Sequence, residues 1–475
     1  MKHLLILAVI IGTLFFIARG TVIPGPYTYD EPDYMYAASL GWWANATDSP
    51  SMPLVDFIKT GMNRGRNAAA KTELSETIRD SGDVVFYRHW HGPVYAAWLN
   101  LMQQVTTDEH FTRTWNYVFP IAAVILMYFG SLWLMPGPAG QTAAVLSSIF
   151  YLWSYPVVRS TELGPHQLFA ACIVATLLLL AAAAKAPERF CRNYWYAAIA
   201  VTAIAFCLLE VALALILTVL IYGHLMRARL KPSLGFAVKS VGVFLLTVLI
   251  VWPGALLKLS LIKAYLFMAY LAVFRHDAWG PGATLSGTWG LRFIESPVPW
   301  VAAVFAAVYF LKARREGAVL IPFAVFSVLM AGAIFPVKTA MARYTLPLWP
   351  GLVLFGAFAC GLAFAGRKPA FRYPAILAIC IAMLASSWPS LRSTLPTRNT
   401  RDEAMLALIR DRGLAAKTVM VPHEDVPMLH YYFRGSHFRQ YYEESVIPAA
   451  LHSGTIDGAI DRSDPPRWIP AGPER

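Results

Sequence analysis

The segment YWYAAIAVTAIAFCLLEVALALILTVLIYGHLM (194–226) decides the class of fold, because it is almost entirely apolar and contains one charged residue, Glu210. A helix needs about 20 apolar residues to cross a bilayer, so the segment is either one long helix or two short spans joined near Glu210. Short basic loops mark the cytoplasmic side of a membrane protein. Basic residues flank the segment at Lys185, Arg189, Arg192, Arg227, Arg229 and Lys231. If both flanks are cytoplasmic, the chain crosses twice and turns back at Glu210.

Similar apolar runs recur along the whole chain. The sequence is 57% hydrophobic and 14% charged, with a mean hydropathy of +0.50, whereas soluble proteins average about a quarter charged residues. It therefore predicts an all-α polytopic membrane protein with about 11 transmembrane helices. The predicted spans are 4–19, 115–135, 141–157, 166–184, 194–209, 211–226, 236–256, 298–311, 318–335, 345–365 and 372–388.

The net charge of +12 follows from basic loops on one side of the membrane and does not require a nucleic-acid partner. This charge pattern predicts a multi-pass protein of the bacterial cytoplasmic membrane, with the N-terminus inside and the C-terminus on the outer, periplasmic side. The first apolar run could be a cleaved signal peptide, but we expect a retained anchor, because every later run is also membranous. The five cysteines form no CxxC or His/Cys pattern, so neither a disulfide framework nor a zinc site is expected.

Three predicted outer segments are too long to be simple turns. The segment 20–114 carries several acidic and aromatic residues. The segment 257–297 is amphipathic, which predicts a helix lying in the membrane interface and contacting membrane lipids. We therefore expect a transmembrane catalytic domain over 1–388 that includes both segments, with interfacial helices in the first. The segment 389–475 is expected to be a separate outer-face domain.

The C-terminal segment has the pattern of a small α/β domain. RDEAMLALIRDRG (401–413) and DVPMLHYYF (425–433) are typical of helices. Between them, TVMVP (418–422) is typical of a strand. The sequence therefore predicts a small mixed domain rather than another span.

Acidic residues gather in TYDEPDYMYAASLGWW (28–43), directly after the first predicted span. Asp30, Glu31 and Asp33 lie among tyrosines and tryptophans there. One interpretation is an interfacial loop whose acids face water beside a belt of aromatic residues. The alternative is a catalytic carboxylate, since an acid outside the hydrocarbon core avoids the cost of burial in lipid.

Basic residues gather in FYRHWHGPVYAAW (86–98), where Arg88, His89 and His91 precede a predicted helix start at Gly92-Pro93. Basic side chains and backbone N–H groups at a helix start can bind phosphate. Two other interpretations stay open. The segment could be a surface helix with a basic beginning, or the two histidines could be metal ligands.

Two more clusters fall on the predicted outer side. VVRSTELGPHQ (157–167) contains Arg159 and Glu162, which could pair at the membrane surface. FPVKTAMARYTLPLWPG (335–351) contains Lys338 and Arg343, which could be cations snorkelling at a helix end. Outer loops usually avoid Lys and Arg. Carboxylates and cations on one face suit a reaction in which a base activates an alcohol and cations stabilise a departing phosphate.

The order of these motifs resembles the GT-C superfamily of membrane glycosyltransferases, in particular the protein O-mannosyltransferase and lipid A aminoarabinose transferase type. The similarity covers about residues 30–365. The motifs that carry it are YDEPDY, HGPVYAAWL, RSTELGPHQLF and KTAMARYTLPLWPGLVL. It implies a GT-C-like fold and transfer of a sugar, with inversion, from a polyprenyl-phosphate-linked donor. The acceptor would be a lipid, a glycan or a protein hydroxyl on the outer face of the membrane.

The same resemblance implies roles for individual residues. Asp30 matches the expected catalytic base, and Glu31 matches its partner. Residues implied to contact or lie near the donor phosphate are His91, Lys338 and Arg343, with Tyr344 beside Arg343, and Arg88 and His89 lie in the same basic cluster as His91. Glu162 occupies a position that is often Asp, and Arg159 supports the same loop. No metal is required, although Asp30, Glu31 and Glu162 could hold a divalent ion. Asp33 and Gly92 depart from the family pattern.

Two other functions compete with glycosyl transfer. A transporter or lipid flippase would place charged residues inside its spans, whereas here the spans are nearly uncharged and the ionisable residues gather at one face. A non-catalytic scaffold that binds a partner through 389–475 would not need acids and cations on four outer segments. We therefore expect an enzyme.

Overall fold

The computed structural model describes most of the chain in two compact units. The described residues are 2–18, 22, 25–28, 30–43, 91–159, 163–257, 290, 292–312, 319–334, 342–393, 399–422, 424–441 and 443–472. The helical unit comprises the described residues of Met1–Val22, Arg113–Val251 and Leu266–Pro396. The mixed unit comprises those of Ile23–Thr112, Trp252–Tyr265 and Thr397–Arg475.

The helices are numbered in chain order. Those before the C-terminal segment are α1 (Lys2–Ala18), α2 (Glu31–Ser39), α3 (Val94–Val105), α4 (Glu109–Trp115), α5 (Val118–Leu134), α6 (Pro138–Leu152), α7 (Tyr155–Arg159), α8 (His166–Lys185), α9 (Glu188–Phe206), α10 (Ala212–Leu225), α11 (Arg227–Leu230), α12 (Leu234–Val251), α13 (Pro253–Leu257), α14 (Pro297–Lys312), α15 (Ile321–Ile334), α16 (Ala342–Thr345), α17 (Trp349–Phe364) and α18 (Pro369–Ser393). A short 3-10 helix, Leu346–Leu348, joins α16 to α17.

Each predicted span overlaps at least one helix among the described residues, and the spans 141–157 and 236–256 each run over a break between two helices. The apolar segment 194–226 forms two helices, α9 and α10, and Glu210 lies in the connection between them. Within the described residues, five helical stretches are long and apolar enough to cross a membrane, namely Glu109–Leu134, His166–Lys185, Leu234–Val251, Ala342–Phe364 and Pro369–Arg392. Four other apolar helices are shorter, so the count of 11 crossings and their orientation stay predictions.

Helix α17 lies at the centre of the helical unit, where it packs against α6, α8, α14 and α15. Two glycines make this close packing possible. A Cβ added at Gly356 would lie 2.7 Å from the Cβ of Ala302 on α14. A Cβ added at Gly361 would lie 2.6 Å from the carbonyl oxygen of Ala139 on α6. Small residues at such contacts let helix backbones approach closely, as is usual between apolar helices.

The C-terminal part of the mixed unit is a small α/β fold, as the sequence predicts. Its elements are α19 (Thr400–Asp411), β1 (Thr418–Pro422), α20 (Val426–Tyr432), β2 (His437–Tyr441), α21 (Ile447–His452), β3 (Gly458–Ile460) and β4 (Trp468–Pro470). The strand order is β2-β1-β3-β4. Strand β1 is parallel to β2 and β3, while β4 is antiparallel to β3. Apolar side chains of α19, α20 and the strands form the core, including Met405, Ile409, Val421 and Phe438.

The first predicted outer segment groups by contacts with the C-terminal segment. The sequence assigned 20–114 to the membrane domain over 1–388, and that division stays a prediction. By contacts, the described residues of Ile23–Thr112 instead group with those of Thr397–Arg475. The reason is that α2 packs against both α3 and α20. The predicted interfacial helix over 257–297 lies almost wholly outside the described residues.

Candidate functional site

The acidic motif forms the first turn of α2 in the mixed unit. Asp30 is the N-cap residue, and its side chain makes no capping hydrogen bond. Glu31 and Asp33 lie in the first turn and are buried, whereas Asp30 is half-buried. The second residue of the helix is Pro32, which suits a helix start because its missing N–H needs no partner there. The three acids therefore share one turn but occupy different environments.

Glu31 stabilises the turn that precedes Asp30. Its Oε2 accepts a hydrogen bond from the backbone N–H of Thr28 at 3.1 Å, and its own backbone N–H donates to the carbonyl oxygen of Thr28, also at 3.1 Å. Glu31 is 2% exposed. Its carboxylate is thus committed to the backbone on the N-terminal side of Asp30, which fits the supporting role that the resemblance implies.

Asp33 is the most strongly perturbed of the three acids. It is 4% exposed. Burial, and secondarily the charge of Asp30, raise the pKa of Asp33 well above its ordinary value. An acid with a raised pKa holds its proton to higher pH. Because its carboxyl is buried, Asp33 is a poor candidate for a base that must reach the acceptor hydroxyl.

His91 lies alongside α2 in the same unit. Its ring stacks on Tyr34, with centroids 6.0 Å apart and planes inclined by 22°. Tyr34 follows Asp30 by one helical turn, and its backbone N–H donates to the carbonyl oxygen of Asp30 at 3.2 Å. Helix α3 begins directly after Pro93, as the Gly92-Pro93 signal predicts. The structure thus brings His91 close to the helix that carries the acids.

Helix α3 also fixes the other end of α2. The side-chain amide of Gln103 donates to the carbonyl oxygen of Met35 at 2.6 Å. That of Asn100 donates to the carbonyl oxygen of Ala38 at 2.8 Å. Both bonds run from side chains of α3 to the backbone of α2, so they tie the two helices together.

A basic cluster lies within the helical unit, on the short helices α7 and α16, which pack against each other. Arg159 is the last residue of α7, and Arg343 lies on α16. The guanidinium of Arg343 lies 5.2 Å from the centroid of the Tyr344 ring. Tyr344 meets His166 edge-on, with centroids 6.0 Å apart. The predicted residues Arg159, Arg343 and Tyr344 are therefore brought onto adjoining elements.

Two further charged residues join this cluster that sequence reasoning missed. Arg292 and Glu295 are 2% and 6% exposed, and Nη1 of Arg292 donates to Oε2 of Glu295. The Arg292 guanidinium lies 5.4 Å from the Tyr155 ring centroid. Burial raises the pKa of Glu295 to about 7, although the charges of Arg292 and Arg159 oppose this rise. The sequence did contain a signal for this pair, because a cation and an acid lie three residues apart just before the predicted span 298–311.

Several predicted site residues lie outside the described part of the chain, namely Arg88, His89, Glu162 and Lys338. Among the residues that the structure describes, no three His, Cys, Asp or Glu side chains form a group that could hold a metal ion. Asp30 and Glu31 supply two carboxylates of the alternative metal site. Glu31 is bonded to the backbone of Thr28, so it would have to give up this bond to act as a ligand.

The described residues combine a unit of apolar helices, a small α/β segment and a short helix, α2, that carries acids in its first turn. The fold is similar to that of the archaeal oligosaccharyltransferase AglB from Archaeoglobus fulgidus, in complex with an inhibitory peptide and a dolichol-phosphate. The match covers 97% of this chain and 69% of that chain, with a TM-score of 0.57 and 12% identity. An Archaeoglobus fulgidus oligosaccharyltransferase in the apo form matches 97% of this chain and 69% of its own, with a TM-score of 0.55 and 10% identity. ArnT from Cupriavidus metallidurans, bound to undecaprenyl phosphate, matches 95% of this chain and 88% of its own, with a TM-score of 0.50 and 12% identity.

These similarities confirm the GT-C resemblance at the level of the fold. At 10% to 12% identity they do not by themselves assign a substrate. No protein-family model matches the sequence, and no curated protein matches it. The roles of individual residues therefore depend on the geometry described above.

Proposed function

We propose that this protein is a glycosyltransferase that moves a sugar from a polyprenyl-phosphate-linked donor to a hydroxyl group of a lipid, a glycan or a protein. The reaction is proposed to take place on the outer face of the bacterial cytoplasmic membrane. The lipids bound in the similar structures support the donor class, because AglB is in complex with a dolichol-phosphate and ArnT is bound to undecaprenyl phosphate. Both lipids are polyprenyl phosphates.

Asp30 acts as the general base in this proposal. Its carboxylate accepts the proton of the acceptor hydroxyl while that oxygen forms a bond to the anomeric carbon of the sugar. The bond from the anomeric carbon to the phosphate oxygen breaks at the same time, and the polyprenyl phosphate leaves with the electron pair. Attack opposite the leaving group inverts the anomeric configuration. The observation that carries this assignment is that Asp30 is only half-buried at the N-cap of α2, while Glu31 and Asp33 are buried.

Cations stabilise the phosphate as it departs. We assign this role to Arg343, with Tyr344 beside it, and to His91, while Arg159 supports the element that packs against the helix of Arg343. Preorganised positive groups aimed at developing negative charge are usually the largest single contribution to catalysis. The residues outside the described part, Arg88, His89 and Lys338, keep the roles predicted from the sequence. Glu162 keeps its supporting role.

The test compares lipids, envelope glycans and envelope proteins by mass spectrometry, with and without the gene. If the protein is a glycosyltransferase, a sugar-modified product should disappear when the gene is deleted and return on complementation. Complementation with Asp30→Asn should reduce the product by about a hundred- to ten-thousand-fold, which is the usual contribution of a positioned base.

Asp411→Asn is the matched control, because Asp411 is an exposed acid in the last turn of α19. It should restore the product fully. If Asp30→Asn restored as much product as the wild type at equal protein level, the proposed base would be wrong. If deletion changed only the distribution of polyprenyl-linked sugars, without loss of any product, a transporter or flippase would replace the enzyme.

A further inference from the structure

The C-terminal segment contacts the backbone just before the proposed base. The hydroxyl of Tyr432, at the end of α20, accepts a hydrogen bond from the backbone N–H of Tyr27 at 2.9 Å. The same hydroxyl donates to Oε1 of Glu109, the first residue of α4, at 2.8 Å. Tyr27 lies three residues before Asp30. One side chain of the C-terminal segment therefore joins the turn of Asp30 to the beginning of α4.

Aromatic packing reinforces this hydrogen bond. Tyr27 is fully buried. Its ring meets Tyr431 edge-on, with centroids 5.4 Å apart, and stacks over Tyr432 at 6.5 Å. Arg434 lies 5.9 Å from the ring centroids of both Tyr431 and Tyr36, the latter on α2. The C-terminal segment thus touches the chain on both sides of the acids.

A third contact lies slightly upstream. Gly25 has a φ of +94°, and a Cβ added there would lie 2.6 Å from the Oε1 of Glu403 on α19. Only glycine adopts this backbone conformation readily. The segment that leads into the acid turn is therefore fitted closely to two helices of the C-terminal segment, α19 and α20.

The chemistry of Tyr432 suits a fixed support. Burial raises the pKa of its hydroxyl, so the hydroxyl keeps its proton and can donate to Glu109 while accepting from Tyr27. Helix α2 has only nine residues, and isolated helices this short are marginal in water. Its position must therefore come from its packing partners. Helix α3 supplies the support at the C-terminal end of α2, and α20 supplies it at the end that carries Asp30.

We propose that the C-terminal segment positions the catalytic turn, with Tyr432 as its main positioning residue. This inference rests on the proposed function, because it takes Asp30 as the base. Tyr432 contacts no reacting atom in this scheme, so its loss should lower the rate of transfer and leave binding of the polyprenyl phosphate unchanged. A misplacement of about 1 Å at a reacting group can cost about a hundred-fold in rate, so we expect a loss of about 10- to 100-fold.

The test compares Tyr432→Phe with Tyr441→Phe in the full-length protein. Tyr432→Phe removes both hydrogen bonds but keeps the ring stacked on Tyr27. Tyr441→Phe is matched, because the Tyr441 hydroxyl is also buried and donates to the carbonyl oxygen of Ile460 within the sheet at 2.9 Å. Three quantities are measured: product in complemented cells, binding of undecaprenyl phosphate to purified protein, and hydrogen exchange of the peptide covering 25–40.

For Tyr432→Phe we expect about 10- to 100-fold less product, faster exchange in this peptide, and binding of undecaprenyl phosphate within about two-fold of the wild type. Tyr441→Phe should match the wild type in all three. Glu109→Gln keeps an acceptor for the Tyr432 hydroxyl and should retain most of the product. Glu109→Leu should lower the amount of product several-fold, because it removes the acceptor of the Tyr432 hydroxyl but keeps the bond from Tyr27. It provides a milder variant if Tyr432→Phe fails to fold.

The outcomes separate this inference from the proposed function. If Asp30→Asn abolishes the product but Tyr432→Phe behaves like Tyr441→Phe, the positioning role is refuted and the base stands. If Tyr432→Phe loses undecaprenyl phosphate binding together with product, the hydroxyl is a general determinant of folding and the inference is overturned. If Asp30→Asn keeps full product, the proposed function itself fails.

Discussion

Replacing Glu295 by Gln tests the electrostatics of the basic cluster, because this carboxyl is buried beside Arg292 and Arg159 and its pKa is raised to about 7 from an ordinary value of 4.5. Between these two pH values the folded chain holds a proton that the unfolded chain has released. The free energy of unfolding therefore falls as pH rises from about 4.5 to 7. Each pH unit is worth about 1.36 kcal/mol, so the full penalty above pH 7 is at most about 3.4 kcal/mol.

Glu295→Gln removes the titrating group but keeps an oxygen that can accept from Arg292. The variant should be more stable than the wild type at pH 8 and nearly equal to it at pH 5. For a chain of this length, about 3.4 kcal/mol corresponds to an increase of roughly 3 to 6 °C in the unfolding temperature, by extrapolation from smaller proteins. Thermal unfolding of the purified protein in lipid nanodiscs at pH 5, 6, 7 and 8 measures the difference.

Glu188→Gln is the control, since Glu188 is an exposed acid paired with Lys231, and its pKa is lowered by that pair. Glu188→Gln should have the same difference in unfolding temperature from the wild type at every pH between 5 and 8. The reasoning about Glu295 is refuted if the difference between Glu295→Gln and the wild type is the same at pH 5 and pH 8. It is also refuted if the variant is less stable at pH 8.

Two further predictions concern packing and ion pairing. In the mixed unit, Arg401 makes two hydrogen bonds of 2.8 Å to Asp425, so Arg401→Ala leaves a nearly buried carboxylate without its cation and should cost about 3 to 5 kcal/mol. Arg462→Ala removes a similar but exposed pair with Glu424 and should cost less than about 1 kcal/mol. Limited proteolysis of the C-terminal segment compares them, and equal susceptibility would contradict the prediction. In the helical unit, Gly356→Ala places a methyl group against Ala302 and should cost about 1 to 3 kcal/mol. Gly332→Ala, which meets nothing within 4 Å, should be neutral or stabilising, and similar unfolding temperatures for the two variants would argue against close packing at Gly356.

The positions of the helices could be predicted from the sequence because bilayer thickness sets a length and composition that few other structures share. The short helical elements α7 and α16 carry no such signal, yet they bring Arg159 and Arg343 onto adjoining elements. Strand β1 coincides with the predicted TVMVP because β-branched residues bounded by turns are a strong local pattern. These successes all depend on information contained within about 20 consecutive residues.

Tertiary partners were not predictable in this way. Tyr27 and Tyr432 are 405 positions apart, and neither lies in a motif with a spacing rule. Arg292 and Glu295 lie within the segment 257–297, which amphipathicity assigned to the membrane interface. Charged residues there would be expected to face water, whereas the two side chains are buried as a pair. The same limit explains the grouping of Ile23–Thr112 with Thr397–Arg475, which no composition boundary indicates.

The acidic motif shows how the structure gives physical grounds for a division of roles that the sequence supplied only through the resemblance. A general base must be ionised near the working pH and must reach the acceptor hydroxyl. Asp33 fails the second condition, because it is 4% exposed, and burial and the charge of Asp30 also raise its pKa. Glu31 fails the second while its carboxylate accepts from the backbone of Thr28 and stays 2% exposed. Asp30, half-buried at the N-cap, therefore remains the candidate for the base. These roles predict that the rate of sugar transfer survives in Glu31→Gln but not in Asp30→Asn.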